Sequence, residues 1–483
     1  MSIFVTQAEV ERLKQASPDS RQRRFYEALL ARTHKNTRVP GFLQPGDTQQ
    51  WWHLCWERAS DAAFVYRVEK DEVLGQWLRG IALWMADLPA DEWIGPWFRK
   101  REQPFKGMLE TAHVSLALCE ILDLAGDLFT PEEDASLRAA LYEKGLKPCE
   151  RYCAAGSQGH HVNNWFSVLL CGYGVSAAVL GEAEHLRQTL AWLPIVHNLY
   201  NDDSYGESLQ YSNYASLCLT NLQEVLLRSH PEFASQLNLR CYARLMPWYA
   251  ASYLYQKPLR EGGPAYPRSF NFSDSAAVFR PSGDVLAQVA CRMAKELPRE
   301  AALASWLLDT TYADPTLGPD ERATFGFFNQ FQYHTITLPL LADIAEPASP
   351  EALGYPEVME FEYGHVILRD RWENPRAQMA IQAGYASQNV TSHRHQDHLS
   401  FQLAVGRERM LVDAGHCCYR LAAWRFSTSS SQHNLFDFVL PDGTVLGQKV
   451  ATGNFAQRQA PLVRNLLRMR IGMKGAALLF ALF

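Results

Sequence analysis

The sequence predicts a two-part fold, helical hairpins first and an antiparallel β region after them, and three observations carry that reading. Apolar positions recur every three or four residues through most of the first part, the spacing of helices that bury one face. After Pro347 and Pro350 the period drops to two, the mark of strands with one buried side. The breaks inside the first part are short and carry turn chemistry, with no long polar linker. At 483 residues the chain exceeds the size of one common domain. Residues 1–345 are therefore expected to form a helical domain and 346–483 an antiparallel β-sheet domain packed closely against it.

Taken in order, residues 1–32 are charged and amphipathic, with Val10, Leu13, Phe25, Leu29 and Leu30 as the apolar side. Helical spacing then covers 74–87, 107–125, 135–145, 162–181, 184–199, 213–229, 235–255 and 286–296. Pro131 before an acidic first turn, Gly181, Pro194, Asp202-Asp203, Pro264 and Pro267 punctuate the series. Helices of similar length in succession imply stacked hairpins, which build a bundle, a solenoid or a closed toroid; periodicity alone does not choose. In the second part, strands are expected at 364–369, 377–382, 400–405, 409–413 and 435–440, an antiparallel set of the sandwich type. From Gln457 to Phe483 the alternation is lost, so this tail is expected to leave the sandwich incomplete.

Composition narrows the function. The 46 basic and 52 acidic residues give a formal charge of -6, with no basic excess to hold a phosphate backbone, so nucleic acid is not an expected partner. The N-terminus has no apolar run resembling a signal peptide, and no stretch reaches the roughly 18 apolar residues of a membrane span. Ten cysteines without a CxxC pair or disulfide-like spacing are expected as reduced thiols in a cytoplasmic protein with no membrane partner. Aromatics reach 12%, which suits a cleft that stacks on sugar rings and is equally accounted for by a large core.

Three clusters carry chemistry. Thr391-Ser-His-Arg-His-Gln-Asp-His-Leu-Ser-Phe holds three histidines within six residues, and an extended backbone would point His393 and His395 the same way. With Asp413 and His433 from adjacent strands they offer a zinc-type donor set of imidazole and carboxylate; unrelated surface histidines would leave the same trace. Gly159-His-His-Val-Asn-Asn-Trp-Phe opens an apolar helix, where one of Asn163 and Asn164 is accounted for as an N-cap. In Asn201-Asp-Asp-Ser-Tyr-Gly-Glu-Ser-Leu-Gln-Tyr-Ser-Asn-Tyr, the spacing of Glu207, Tyr211 and Tyr214 puts all three on one helical face, functional or simply core.

Together these pieces resemble the heparinase II/III-like polysaccharide lyases, related to the alginate and oligoalginate lyases. The matching pieces are Asn163-Asn164-Trp165, Asp203 through Tyr214, Asn271-Phe-Ser-Asp-Ser, Ser392-His-Arg-His-Gln-Asp, Leu411-Val-Asp-Ala-Gly and Gln432-His-Asn, in the family's order. The resemblance implies an incomplete (α/α) toroid followed by an antiparallel β-sandwich. It also implies β-elimination on uronate-containing glycans, in which the C5 proton is removed and the C4 oxygen leaves. In that scheme Asn164 or Asn163, with His393, holds the sugar carboxylate, and Tyr214, with Tyr211 as competitor, is the acid–base group. Glu207, His161, Trp165 and Arg394 are expected beside the substrate, and His395, Asp413 and His433 around a structural zinc ion. Trp165 stands where many alginate-cleaving relatives carry His. The partner is expected to be a uronate-containing oligosaccharide or polysaccharide, with a homodimer left open. A toroid-fold glycoside hydrolase using Glu207 with Asp202 or Asp203, and a non-catalytic carbohydrate-binding protein, are the alternatives.

Overall fold

The computed structural model describes residues 2–37, 49–95, 103–157, 163–316, 335–384, 393–413, 415, 426–435, 438–446 and 448. The helices begin with α1 (Gln7–Gln15), α2 (Arg21–Thr37), α3 (Gln49–Glu69), α4 (Glu72–Asp87) and α5 (Leu109–Leu124). They continue with α6 (Pro131–Ala140), α7 (Lys147–Gly156), α8 (Asn164–Leu180), α9 (Ala183–His197) and α10 (Leu209–Ser229). After α11 (Arg240–Ala243) and α12 (Met246–Ser252) come α13 (Gly283–Arg292), α14 (Pro298–Thr311) and the short α15 (Thr337–Leu340).

Local chemistry fixes several starts and stops. Thr6 and Glu9 form a capping box on α1, and Thr130 and Glu133 repeat it on α6, where Pro131 supplies the fixed φ of a first turn. Asp71 caps α4 through the Leu74 N–H at 2.9 Å. Gly181 ends α8 in the left-handed conformation, φ 76°.

In packing, α3 lies against α5, α5 against α8, α8 against α10 and α10 against α13. The returning helices stay outside: α4 touches α3 and α5, α7 and α9 flank α8, and α14 flanks α13. Helix α15 touches α13, α1 and α2, and α2 packs on α3, so the N-terminal helices bridge the two ends of the arc. Alternate helices inside and their partners outside make the incomplete (α/α) toroid. The inner helices α5, α8 and α10 are buried over most of their lengths, and each fully buried Leu, Val or Ile contributes roughly 1.5–3 kcal/mol.

Two ties hold the N-terminus to distant helices. Asp123 of α5 accepts the Ile3 and Phe4 N–H groups at 3.0 and 3.1 Å. Arg228 at the end of α10 bonds Glu9 of α1 at 2.9 Å and the buried Glu224 at 2.7 Å. Glu224 is bonded in turn by Arg292 of α13 at 2.6 Å.

A hairpin of β1 (Tyr253–Pro258) and β2 (Ala265–Ser269) interrupts the helices. A helix was expected over 235–255; α11 and α12 realise part of it, and the strand-forming Tyr253 and Tyr255 take the rest into the hairpin. The second part contains β3 (Val358–Glu360), β4 (His365–Arg369), β5 (Ala377–Gln382), β6 (Phe401–Val405) and β7 (Glu408–Leu411), antiparallel in sequence order. Its Ile367, Ala380 and Ala404 join the helical core, while Val366, Leu368, Ile381 and Ala383 form a separate cluster on the other face. The strand expected at 435–440 does not enter this sheet; β8 (Phe438–Val439) pairs with β9 (Val445–Leu446), and β3 takes the free edge beside β4. Residues 457–483, on which the expectation of an incomplete sandwich rested, lie outside the described residues. Among the described residues no helix is long and apolar enough to cross a membrane.

The seam between helices and sheet contains a neutral histidine. His365 is 2% exposed, accepts the Trp248 indole N–H at 3.0 Å, and is driven by burial down to a pKa of about 3 from 6.5. The unfolded chain takes up this proton near pH 6.5 while the folded one resists to about 3. The stabilisation is therefore complete above pH 6.5 and is lost as pH falls from there toward 3. A His365→Asn variant keeps an acceptor for Trp248 and cannot titrate. Across that window its unfolding free energy should fall less steeply than the wild type's, by about 1.4 kcal/mol per pH unit. Denaturant titrations at stepped pH with parallel slopes would count against this account.

Candidate active site

The start of α8, the start of α10 and the segment following β5 converge. Asn163 is the N-cap of α8, its side-chain oxygen accepting the Trp165 N–H at 3.0 Å. Capping therefore occupies Asn163 and leaves Asn164 free for another use. The Asn164 side chain is 1% exposed, and among the described residues neither its oxygen nor its nitrogen has a hydrogen-bond partner. A buried primary amide without partners costs free energy and awaits a polar group.

Glu207 joins the three segments. It lies just before Ser208, the N-cap of α10, and is fully buried. One carboxylate oxygen accepts the Asn164 backbone N–H at 3.3 Å, and the other lies 2.6 Å from His393 Nδ1. The Tyr211 ring stacks on the His393 ring, with centroids 3.6 Å apart and planes 7° apart. Burial alone would push His393 down, but the adjacent Glu207 charge and hydrogen bond, with Asp274 beyond, lift it above its ordinary value.

His393 adopts φ +62°, in the left-handed region, so the expected extended segment is absent and His393 and His395 do not share a direction. His393 turns to Glu207 and Tyr211, whereas His395 Nε2 meets Asp274 Oδ1 at 2.8 Å. The backbone reversal is pinned by the Asp274 N–H, which donates to the His393 carbonyl at 3.2 Å.

Tyr214 shares the helix with Tyr211 but has a different partner. Its phenol lies 2.8 Å from His113 Nε2 of α5, and the residue is 1% exposed. Burial first, then the neighbouring Cys218, Glu110 and Tyr211, hold this phenol well above its usual pKa. Arg394 is buried near Tyr363, where its charge pulls on that phenol. Trp165 is half-buried with its ring 6.3 Å from that of Tyr152, and His161 lies outside the described residues.

His395, Asp413 and His433 do come together, all buried, with one ligand atom from each within 4.8 Å of the others. None sits within a strand as expected: His395 lies in the irregular stretch before β6, Asp413 follows β7, and His433 follows a 3₁₀ turn at Ser430–Gln432. Asp413 is oriented from both sides, accepting the Gly415 N–H at 2.7 Å and facing His433 Nδ1 at 2.7 Å. Gly415 has φ +62°, and a Cβ there would lie 2.5 Å from the Ser275 carbonyl oxygen, so the turn requires glycine. Among the described residues, His395 Nδ1 and His433 Nε2 are buried without partners. Two imidazoles, one carboxylate, unsatisfied ring nitrogens and a carboxylate behind His395 fit a bound cation. Asp274 and His113 received no role from the sequence. His113 stands one turn from Glu110 on α5, the single local signal of its use.

A helical arc and an antiparallel sheet thus share a polar site, and residues 362–434 match the family model described as Heparinase II/III-like, C-terminal. The resemblance read from the motifs is borne out over this segment, which carries Arg394, the His393 that meets Glu207 and all three clustered His/Asp side chains. Among solved structures, the chain is similar to heparinase III at 13% identity, covering 90% of this chain and 63% of that one, with a TM-score of 0.49. It is also similar to the heparan sulfate lyase HepC from Pedobacter heparinus, at 15% identity, 88% and 63% coverage and a TM-score of 0.44. A Paenibacillus xanthan lyase follows at 12% identity, 83% and 38% coverage and a TM-score of 0.43. The chain spans about three fifths of the length of the heparinases it matches. No curated protein sequence matches it.

Proposed function

We propose that this protein is a polysaccharide lyase that cleaves uronate-containing glycans by β-elimination, with a helical catalytic domain over 1–345 and a β domain over 346–483. The observation that carries the reading is Glu207, buried between the Asn164 backbone and His393, which assembles an amide, an imidazole and the stacked Tyr211 ring into one site. In the proposed reaction the substrate carboxylate rests against the Asn164 side-chain amide and His393. The raised pKa of His393 favours an imidazolium that stabilises the charge developing on the carboxylate as C5 loses its proton. Tyr214 remains a neutral phenol and donates to the departing C4 oxygen. Asp202 pairs with Arg244 at 2.7 Å and Asp203 accepts the Glu362 N–H at 2.8 Å, which engages both acids away from the hydrolase scheme. The free thiols buried in the helical region support the proposed cytoplasmic setting, with short imported chains as substrates.

His395, Asp413 and His433 would hold zinc, with Asp274 fixing the His395 ring. Bound there, the ion would supply structural rigidity to the loop that presents His393. Purified protein should carry close to one zinc per chain, and a chelator should lower its melting temperature. Metal-free protein with the same melting curve would remove the assignment.

The deciding experiment is incubation with a panel of guluronate, mannuronate, glucuronate and iduronate oligosaccharides. A lyase produces a conjugated unsaturated uronate that absorbs in the ultraviolet; saturated reducing ends would indicate a hydrolase, and unchanged oligosaccharides a binding protein.

A further inference from the structure

His113 on α5 and Tyr214 on α10 form a buried pair, with imidazole Nε2 2.8 Å from the phenol oxygen and the rings edge-on at 87°. His113 is 0% exposed. Burying an imidazole costs free energy unless it is bonded, so an aliphatic residue would pack this inner helix better if packing were the only requirement. Around the pair stand Glu110 from the same helix, Tyr211 and Cys218 from α10, Cys171 from α8 and the Trp56 ring of α3. None of these is positively charged, so a phenolate formed at Tyr214 would have no stabilising neighbour among them. Hydrogen bonding to an imidazole offers a route that never forms one.

We propose that His113 acts through Tyr214 as the acceptor and donor of the phenol proton, an inference that rests on the lyase reading above. The C5–H bond breaks and its proton goes to the Tyr214 oxygen while the phenol's own proton passes to His113 Nε2. The C5 electron pair becomes the C4–C5 double bond as the C4–O bond breaks. The departing oxygen takes the phenol proton, and the imidazolium returns its proton to Tyr214. Both side chains end as they began, and the former C5 proton is accounted for on the new hydroxyl. His113 does not touch the sugar and is a positioning residue that also holds a proton.

The test uses the full chain and the H113Q variant. Glutamine retains a hydrogen-bonding group for the phenol and cannot take a proton at neutral pH. The expected result is kcat reduced by about 10²-fold with KM and melting temperature unchanged. Wild-type kcat in H113Q would overturn the relay and leave the lyase reading standing, whereas a wild type inactive on the whole uronate panel removes the lyase reading itself. A substrate-free measurement covers the case in which H113Q does not fold. In protein labelled with ¹⁵N-histidine, His113 Nε2 should be unprotonated and hydrogen-bonded, and Y214F should shift its resonance. A protonated Nε2 donating to the phenol at neutral pH would overturn the proposal.

Discussion

Tyr214→Phe should lower turnover by about 10²–10⁴, the usual worth of a positioned acid–base group. The ring and its packing remain, and His113 Nε2 loses its 2.8 Å partner. Leaving one buried polar atom unsatisfied costs about 1–3 kcal/mol, so the melting temperature should fall by a few degrees and no further. Tyr211→Phe is the paired control, because its stack on His393 survives loss of the hydroxyl. If Tyr211→Phe is the more damaging change, the acid–base role belongs to Tyr211. Near-normal turnover in both variants would reduce this face of α10 to core.

Gly364→Ala should be the most destabilising single substitution in the sheet. Gly364 precedes β4 at φ +111°, and a Cβ there would lie 1.3 Å from the Gly384 carbonyl oxygen. That atom belongs to backbone just beyond β5, where the Ala383 N–H also donates to the Gly364 carbonyl at 2.8 Å. No rotamer relieves such a collision, so the strands must separate. A loss above about 4 kcal/mol, read as insoluble expression or a collapsed melting temperature, is the expected result. A melting curve like the wild type's would mean that the two strands part at little cost.

Legibility in the sequence followed pattern. Helices α4, α5, α8, α9 and α10, and strands β4, β5 and β6, stand close to where periodicity put them. Helix α3 was missed because it is buried on several sides: Glu57, Ser60 and Asp61 are as enclosed as Ala59, Ala62 and Val65, so no polar stripe marks a period. Asn163, the family motifs and the His395, Asp413 and His433 group were readable as residue types in order. The partners of those residues were not. His113 and Tyr214 are 101 positions apart, and His395 and Asp274 are 121 apart, separations at which no local rule operates. The positive φ of His393 belongs to the same class, since its cause is a hydrogen bond from Asp274 in a different part of the chain.

The tie from Glu9 to Arg228 has a consequence for the order in which the protein is made. The two residues are 219 positions apart, and Arg292, which bonds Glu224, completes the network still later in the chain. At about 5–20 residues per second, a ribosome needs roughly 11–44 s to travel from the first partner to the second. Throughout that interval Val10 and Leu13 of α1 have been synthesised while the arc that buries them has not been closed. The first helix is thus among the last to be secured. A nascent chain stalled before residue 228 should display α1 to proteases and chaperones, and one released beyond residue 292 should withdraw it.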